Sequence, residues 1–398
     1  MGNVKVGNDK IYILTINSGS SSMKFSIYRH KEMVLKGQFE RVKSEKCTEK
    51  IVNFLGDVIT QGPVTDGSIA SHSDCLAWLI SFLAEKDIKI GAIGHRVVHG
   101  GLKYSESVLI DQQTIADLEK FSDLAPLHQP HNLAGIHACG LHLPDVPQVA
   151  CFDTAFHHDR TMIDRVYPID RKFAEKGILA YGFHGLSYTY IATKLAGMAH
   201  RSKCSKVAVC HLGNGASISG MVDGKGVTSS MGFTALEGLM MGTRCGSIDP
   251  GVIIHLIEHE KMEVGEVKDL LYQKSGLLGL SGISSDVRDL EKVAKTGNED
   301  AVFALEKFSL LVAKEIGYML PSMNGLDTIV FTAGIGEKSA HIREMICNKL
   351  SWLGLELDPG ENARNATRIS SSSSQITVYV IPTDEESVIA RDTAKLVF

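Results

Sequence analysis

Residues 16–25, Ile-Asn-Ser-Gly-Ser-Ser-Ser-Met-Lys-Phe (INSGSSSMKF), decide how the first part of the chain folds. They place four hydroxyl groups, a carboxamide, a glycine and a lysine directly after the apolar run IYILTI. Beyond this polar turn the apolar residues Met23, Phe25 and Ile27 alternate with more polar neighbours, which is the period of a β-strand. The stretch therefore predicts a strand, a polar turn and a second strand.

Two roles suit this turn. As a phosphate cradle, it would use Asn17 to bind a metal ion or its water, Ser20 and Ser22 to donate to phosphate oxygens, and Lys24 from the strand face that Ser22 shares. As a surface turn, it would only hold these polar groups in water. The ordinary P-loop is excluded, because its glycine loop leads into a helix and follows the spacing G-x-x-x-x-G-K-[ST].

The pattern occurs a second time in residues 207–222 (VAVCHLGNGASISGMV), where a Gly-Asn-Gly turn joins an apolar strand to an alternating one. Two copies in a chain of 398 residues favour two domains, since a single core seldom exceeds about 300 residues. The predicted fold class is α/β, with two duplicated actin-like ATPase (ribonuclease H-like) domains around a central cleft. Two unrelated α/β domains would fit the same periodicity. The predicted boundaries are residues 1–155 with 384–398, and residues 156–383.

A third glycine-rich stretch, residues 333–337 (AGIGE), follows an apolar strand at 328–332. It is predicted to be a turn whose backbone amides suit an anion or a nucleotide, with Ser339 capping the helix that follows. Near the C-terminus, a strand at 376–381 leads into Thr-Asp-Glu-Glu at 383–386, a capping-box pattern that predicts the start of the last helix.

Composition excludes several classes of partner. The net charge of −5 and the isoelectric point near 6.3 give no basic surplus for binding nucleic acid or an anionic membrane. No apolar window approaches the roughly 18 residues of a membrane span. We therefore expect a cytoplasmic protein with small-molecule partners. The eight cysteines contain no Cys-x-x-Cys pair, which indicates reduced thiols and neither a disulfide framework nor a zinc site.

Four further clusters carry groups that suit phosphoryl transfer, which needs cations and aligned donors around the moving group. They are Arg96 in GHRVVHGG, Asp153 in FDTAFH, His184 in YGFHG and Arg244 in MGTRCG. Each has a structural alternative. An aspartate after a strand also caps helices, histidines such as His95 and His99 are commonly buried and structural, and a loop arginine also pairs with a protein carboxylate.

The ordered motifs resemble the acetokinase family, the acetate, propionate and butyrate kinases of the actin-like ATPase superfamily. The motifs NSGSSSMKF, GHRVVHGG, APLH, FDTAFH, YGFHG, HLGNG, MGTRCG, SGLLG, FTAGIGE and PTDEE follow in the family's order. Members that act on acetate are the most similar. The resemblance implies an ATP:carboxylate phosphotransferase that moves the γ-phosphoryl group of ATP directly and reversibly to acetate, giving acetyl phosphate and ADP. It also implies Mg²⁺, with Mn²⁺ as a substitute, and a homodimer.

The resemblance implies a role for each matching residue. The catalytic residues are Asp153, His184, Arg244 and Arg96. The substrate-binding residues are Arg96, Val98, Leu127, Phe183 and Ala235. The nucleotide-binding residues are Lys24, His211, Leu212, Gly213, Asn214, Gly215, Asp286, Val287, Arg288, Gly334, Ile335, Gly336, Glu337 and Lys338. The metal-binding residues are Asn17 and Glu385.

The sequence departs from the family pattern at several of these motifs. Ala235 stands where proline is common and would loosen the acyl pocket, so a propionate kinase is the alternative. Asp384 and Lys338 each replace a common asparagine, which bears on metal affinity and nucleotide selectivity. A non-catalytic actin-like ATP-binding module is the more distant alternative. A sugar kinase would need a catalytic base and a polar pocket, which these motifs lack.

Overall fold

A computed structural model describes residues 11–42, 47–64, 69, 71–126, 128–198 and 205–398. Its strands are β1 (Ile11–Ser18), β2 (Ser22–Arg29), β3 (Glu32–Glu40), β4 (Thr48–Asn53), β5 (Val58–Pro63), β6 (Lys89–Val97), β7 (Val108–Leu109), β8 (Gln148–Phe152), β9 (Lys206–Leu212), β10 (Ala216–Val222), β11 (Lys225–Ser229), β12 (Thr328–Thr332) and β13 (Thr377–Val380). Its helices are α1 (His72–Glu85), α2 (Gln112–Lys120), α3 (Gln129–His142), α4 (Met162–Arg165), α5 (Arg171–Glu175), α6 (Gly185–Ala196), α7 (Pro250–Glu258), α8 (Val264–Gln273), α9 (Gly276–Ser281), α10 (Val287–Ala294), α11 (Glu299–Met323), α12 (Ala333–Lys338), α13 (Ala340–Asn348), α14 (Pro359–Ala363) and α15 (Glu385–Val397). The chain divides into unit 1, Met1–Phe156 with Asp384–Phe398, and unit 2, His157–Thr383.

Unit 1 is built on an eight-stranded sheet in the order β5-β4-β3-β2-β1-β6-β8-β7. Strands β1, β2 and β3 pair antiparallel, whereas β6 and β8 continue the sheet parallel to β1. Leu14 and Ile16 of β1 pack in a core with side chains of α1 and α3. Ile13, on the opposite face, packs with Ala390 of α15. Both faces of the sheet are therefore covered by helices.

Unit 2 repeats this topology in a five-stranded sheet with the order β11-β10-β9-β12-β13. Here β9, β10 and β11 pair antiparallel, and β12 and β13 follow parallel to β9. The order corresponds strand for strand to β3-β2-β1-β6-β8 of unit 1. The predicted α/β fold with two duplicated actin-like, ribonuclease H-like domains is thus confirmed.

Several local predictions are confirmed. INSGSSSMKF does form strand, turn and strand, with Asn17 paired to Lys24 across the β1–β2 hairpin. Ser339 caps α13 by accepting a hydrogen bond from the Ile342 amide at 3.0 Å.

Alternation along β2 is less complete than its sequence suggests. Ser26 and Tyr28 are buried as well as Phe25 and Ile27, because α15 covers the face that was expected to meet solvent. The sequence pattern could not show this, since α15 lies more than 350 residues further along the chain.

Two predictions about where helices begin were wrong. Residues 333–338 form the six-residue helix α12, not a glycine turn with open amides. The last helix is capped by Asp384 and not by Thr383: the Asp384 carboxylate accepts a hydrogen bond from the Ser387 amide at 3.1 Å. Aspartate is the better cap of the two, because its charge also favours the positive end of the helix dipole.

Within the described part of the chain, no helix is long and apolar enough to cross a membrane. None of the seven cysteines in those residues is joined in a disulfide. Burial raises the pKa of the Cys75 and Cys151 thiols to about 12, so both remain protonated at neutral pH.

Candidate active site

In unit 1 the candidate residues follow neighbouring parallel strands. Asn17 lies at the end of β1, Arg96 near the end of β6, and Asp153 directly after β8. Because β1, β6 and β8 run parallel, their carboxyl ends meet at one edge of the sheet. The backbone N–H of Asp153 donates to the carbonyl of Val97 at 3.0 Å, which fixes the carboxylate beside β6.

Asp153 holds one edge of the Arg96 guanidinium. Nε of Arg96 donates to both carboxylate oxygens, at 3.2 and 3.0 Å, and Nη2 donates to Oδ2 at 2.6 Å. The remaining Nη1 donates to Oδ1 of Asn17 at 3.3 Å. Burial by itself lowers the pKa of Arg96, but the carboxylates of Asp153 and Glu385 outweigh it and raise the pKa above its usual value. Arg96 is therefore a fixed cation whose orientation is set by Asp153, a pair that the sequence did not predict.

Glu385 brings a further carboxylate to this group from the first turn of α15. Desolvation raises its pKa above the usual range, Arg96 lowers it, and the nearby Asp153 and Glu386 raise it again. Lys24 also lowers the pKa of Glu385, because it stands on the face of β2 that α15 covers. Carboxylates thus outnumber the cations that face them.

This excess of oxygen ligands fits a divalent cation of the Mg²⁺ type. Such a cation takes carboxylate and amide oxygens, usually one or two from protein, and completes its shell with waters and phosphate oxygens. Asn17 and Glu385 supply these two kinds of oxygen. The described residues contain no group of three His, Cys, Asp or Glu side chains that could hold a metal without such help.

A clamp from α3 holds the chain just beyond Arg96. The amide of Gln129 accepts a hydrogen bond from the His99 backbone N–H at 3.2 Å and donates to the His99 carbonyl at 3.1 Å. Asn132 accepts from the Val98 N–H at 3.0 Å and donates to the Ser18 carbonyl at 3.1 Å. Val98 is therefore tied to the turn after β1.

Both histidines that flank Arg96 are structural. His95 and His99 are buried, and this burial lowers the pKa of each to about 4. They are neutral at physiological pH, as their structural alternative predicts.

In unit 2, His184 directly precedes α6 with a backbone φ of 57°, in the left-handed region. His157 supports this strained position. Its Nε2 contacts the Phe183 carbonyl at 2.9 Å and must donate, since a carbonyl only accepts. Gly182, at φ +79°, lies so close to the His157 ring that a Cβ there would be 2.7 Å from Cγ. Strain of this kind is typical of residues held for function.

The side chain of His184 is held on two sides. Its ring stacks on His211 with centroids 4.2 Å apart and planes inclined by 19°. Its Nδ1 lies 2.8 Å from Oγ of Ser217. Its Nε2 faces Gly215, where a Cβ would come within 3.6 Å of Nε2 and within 4.0 Å of Nη1 of Arg244. His184 Nε2 and Arg244 Nη1 thus both lie beside Gly215, whose missing side chain leaves their nitrogens uncovered on that side.

The loop that carries Arg244 is braced by two tyrosines. Nη1 of Arg244 donates to the Ala235 carbonyl at 2.9 Å. Residues beside Ala235 are held by Tyr167, whose hydroxyl accepts from the Phe233 N–H at 2.7 Å and donates to the Glu237 carboxylate. Tyr272 donates from its hydroxyl to Thr234 at 3.2 Å, and its carbonyl accepts from Thr243 at 2.8 Å. Neither tyrosine belongs to one of the motifs, so neither could be selected from the sequence.

The candidate nucleotide segments of unit 2 are partly brought together. Thr332 pairs with His211 across β12 and β9, so α12 and the Gly213–Gly215 turn start from the same edge of the sheet. The Asn214 carbonyl accepts from the Gly242 N–H at 3.0 Å, which joins this turn to the arginine loop. Glu337 of α12 accepts from the Thr383 N–H at 3.1 Å. Buried Arg343, which the sequence analysis missed, donates to the Gly336 carbonyl at 2.9 Å and secures α12.

Asp286 and Arg288 are engaged with each other. Nη2 of Arg288 donates to Asp286 at 2.5 Å, and Asp286 caps α10 by accepting from the Arg288 backbone amide. The remaining candidates divide between the units: Val98 lies in unit 1, and Phe183 and Ala235 lie in unit 2. Leu127 falls outside the described residues.

Comparisons with known proteins agree on one family. A sequence model described as the acetokinase family matches residues 12–391. A curated acetate kinase of Halothermothrix orenii is 44% identical, over 97% of this chain and 99% of its own length. A propionate kinase structure from Francisella tularensis superposes with a TM-score of 0.91 at 38% identity, covering 97% of this chain and 99% of that one. A Porphyromonas gingivalis acetate kinase structure superposes with a TM-score of 0.87 at 35% identity, covering 97% and 100%.

Proposed function

Because the chain belongs to the acetokinase family, we propose that it transfers the γ-phosphoryl group of ATP to acetate and forms acetyl phosphate and ADP reversibly. The observation that carries the proposal is that His184 Nε2 and Arg244 Nη1 both lie beside Gly215, in the turn of the β9–β10 hairpin. Two nitrogen donors close together at a glycine turn suit the charge of a transferring phosphoryl group.

The chemistry needs no strong base. Acetate is already ionised at neutral pH, so a lone pair of its carboxylate attacks the γ-phosphorus directly. A new O–P bond forms, the bond from phosphorus to the β–γ bridging oxygen breaks, and ADP leaves with that electron pair. The difficulty is to bring two anions together and to stabilise the charge on the three equatorial oxygens. His184 and Arg244 would donate to those oxygens.

Arg96 would hold the acetate. Asp153 binds its Nε–Nη2 edge, so the opposite edge of the guanidinium would meet the substrate carboxylate. The role of Asp153 would then be to orient Arg96 as well as the substrate and the cation. Lys24, opposite Asn17 in the β1–β2 hairpin, would bind phosphate oxygens.

The family acts with ATP and a divalent cation, and for this chain we propose Mg²⁺, with Mn²⁺ as a substitute because it takes the same oxygen ligands. Asn17 and Glu385 would hold the cation. When bound, it would neutralise phosphate charge. In unit 2, the segments 211–215, 286–288 and 334–338 would bind the nucleotide, as the family pattern suggests.

Acetate and propionate are distinguished by the acyl pocket, for which we propose Val98, Leu127, Phe183 and Ala235. Ala235 and the likeness to a Francisella propionate kinase both favour testing the longer acid. Formation of acyl phosphate can be trapped with hydroxylamine as the acyl hydroxamate. We expect acetate to give the highest kcat/KM, propionate a lower value and butyrate the lowest.

A higher kcat/KM for propionate would replace the substrate and leave the transfer mechanism intact. Absence of any hydroxamate, with ATP and Mg²⁺ supplied, would contradict the proposed function.

The family resemblance also favours a homodimer, and α7 offers a surface for it. None of its nine residues is buried, although Val252, Ile254 and Ile257 are apolar. A second copy of this chain covering α7 would remove that apolar surface from water. We propose a cytoplasmic, homodimeric enzyme.

A further inference from the structure

We propose that Tyr188 and Ser217 form a hydrogen-bond relay that fixes His184 in the tautomer with its proton on Nε2. Both are positioning residues, since they act through His184. The catalytic role of the relay rests on the proposed function. The tautomer of His184 does not, because it is a property of the protein without substrate.

The three side chains lie in a continuous line. The Tyr188 hydroxyl is 2.5 Å from Oγ of Ser217, and Oγ of Ser217 is 2.8 Å from Nδ1 of His184. Tyr188 and Ser217 are both 0% exposed, so water does not compete for these bonds. The backbone fixes both ends, since Tyr188 belongs to the first turn of α6 and Ser217 to β10.

Acidity sets the direction of the relay. A phenol, with a pKa near 10, is a stronger donor than an aliphatic hydroxyl, so Tyr188 donates to Ser217. Ser217 then has its own proton to donate to Nδ1 of His184. A neutral imidazole that accepts at Nδ1 carries its proton on Nε2.

In this tautomer the proton on Nε2 of His184 points towards the proposed position of the transferring phosphoryl group. Nε2 faces Gly215 and the side of Arg244, and the stacked ring of His211 keeps the imidazole in its plane. His211 is itself held by Ser187, 2.9 Å from its Nδ1. The Nε2–H tautomer presents a donor to phosphoryl oxygens, whereas the other tautomer would present a lone pair that repels them.

The direct test is the protonation of His184 in protein labelled with ¹⁵N-histidine. Long-range ¹H–¹⁵N NMR distinguishes a protonated ring nitrogen from a bare one, and His184→Gln identifies the signals. We expect a protonated Nε2 and a bare Nδ1 in the unmodified protein at neutral pH. A proton on Nδ1 would overturn the proposal without the need for any further variant.

Variants then separate positioning from packing. Ser217→Ala should give a mixture of tautomers and lower kcat by roughly 10- to 100-fold, a fraction of the loss caused by removing a donor itself. The KM values for ATP and acetate should change little. Tyr188→Phe, which keeps the ring, should give a smaller change in the same direction.

Tyr190→Phe on the same helix is the matched control and should leave the tautomer unchanged. If His184 keeps a pure Nε2–H tautomer in both relay variants, the relay is wrong. If no acyl phosphate is formed by any form of the protein, the proposed function fails, and the NMR result still decides the relay.

Discussion

Among single residues, Arg96 and Arg244 differ in the groups to which their guanidinium donates. Arg96 is oriented by a buried carboxylate, and removing it would leave Asp153 buried without a partner, which destabilises a protein by about 3–5 kcal/mol. Arg244 donates to the Ala235 carbonyl and is partly exposed. Arg244 therefore allows a cleaner test of catalysis than Arg96 does.

Replacing Arg244 by alanine should lower kcat for acetyl phosphate formation by roughly 10²–10³-fold, because one donor to the transferring group is lost. The thermal unfolding temperature should change little. Hydroxamate kinetics measure the first effect and circular dichroism the second. Arg171→Ala, on the exposed surface of α5, is the control. A rate for Arg244→Ala close to that of the unmodified enzyme would refute the role given to this arginine.

A second residue-scale prediction concerns Glu315 of α11. Burial, reinforced by the charge of Glu237, raises the pKa of its carboxyl from 4.5 to about 7. The folded protein therefore holds this proton more tightly than the unfolded chain does. Stability falls as the pH rises from about 4.5 through 7, and the full penalty is present above the folded pKa.

Glu315→Gln removes the ionising group and should raise the free energy of unfolding near pH 8 by roughly 1–3 kcal/mol, with almost no effect near pH 4. Urea unfolding at the two pH values measures the difference. Glu306→Gln replaces an exposed glutamate on the same helix and should show no such pH dependence. An equal effect of Glu315→Gln at both pH values would exclude this explanation.

Residue types near glycine turns were enough to select Arg96, Asp153, His184 and Arg244. The partners of Arg96 and His184 were not predictable, because Asp153 and Ser217 come from distant segments. Ser217 lies in β10 and Tyr188 in α6, and the two side chains meet only through the tertiary fold. A serine inside a strand pattern carries no local sign of that contact.

Among the structural elements, the irregular loop of residues 232–246, which carries Arg244, is held in place by two tyrosines. Tyr167 bridges the Phe233 amide and the Glu237 carboxylate on one side, while Tyr272 binds Thr234 and Thr243. Gly232 packs against this brace so closely that a Cβ would lie 1.7 Å from a Glu237 oxygen. The Ala235 carbonyl that receives Arg244 is thus fixed from outside the loop.

Tyr167→Phe should loosen this brace and lower kcat/KM by about tenfold, which corresponds to about 1.4 kcal/mol and to the usual cost of leaving a buried polar group without its partner. Tyr318→Phe, at a hydroxyl on the exposed side of α11, is the control. Steady-state kinetics with acetate as the varied substrate give the ratio. Equal kcat/KM values for the two variants would show that the brace does not position Arg244.

The side-chain cap of α13 was predictable, whereas the cap of α15 and the strained start of α12 were not. Ser339 is identifiable as a cap from the sequence alone. Helix α12 begins instead at Ala333, whose φ is +63°, a conformation that alanine seldom adopts. A local pattern of glycines therefore indicated a turn where tertiary contacts, such as that of Arg343 with the Gly336 carbonyl, hold a short helix.

At the scale of the whole molecule, the duplicated strand order was predictable because each copy contains its own glycine turn between two alternating strands. The eight-stranded sheet of unit 1 was not, since β4, β5 and β7 extend it beyond the repeated five strands. The C-terminal helix α15 belongs to unit 1, although unit 1 is otherwise formed by the start of the chain. It is held there because Ile389 and Ala390 are buried against the sheet of that unit.

Assembly gives a further prediction at this scale. Ile254→Asp places a charge on α7 and should convert a dimer into a monomer, because burying an unpaired carboxylate at an interface is costly. Light scattering after size-exclusion chromatography measures the mass. Phe54→Asp, at an exposed apolar residue of unit 1, is the control and should remain dimeric. A monomeric unmodified protein, or a dimeric Ile254→Asp variant, would contradict the role of α7.

In the proposed reaction the protein transfers a phosphoryl group to a carboxylate and does not merely bind or hydrolyse ATP. Phosphorus-31 NMR of the protein with ATP, Mg²⁺ and acetate measures this directly, since acetyl phosphate, ADP and inorganic phosphate give separate signals. We predict that ADP and acetyl phosphate appear together at equal rates, and that neither forms when acetate is omitted. Release of inorganic phosphate at the same rate with and without acetate, and no acetyl phosphate, would contradict the account.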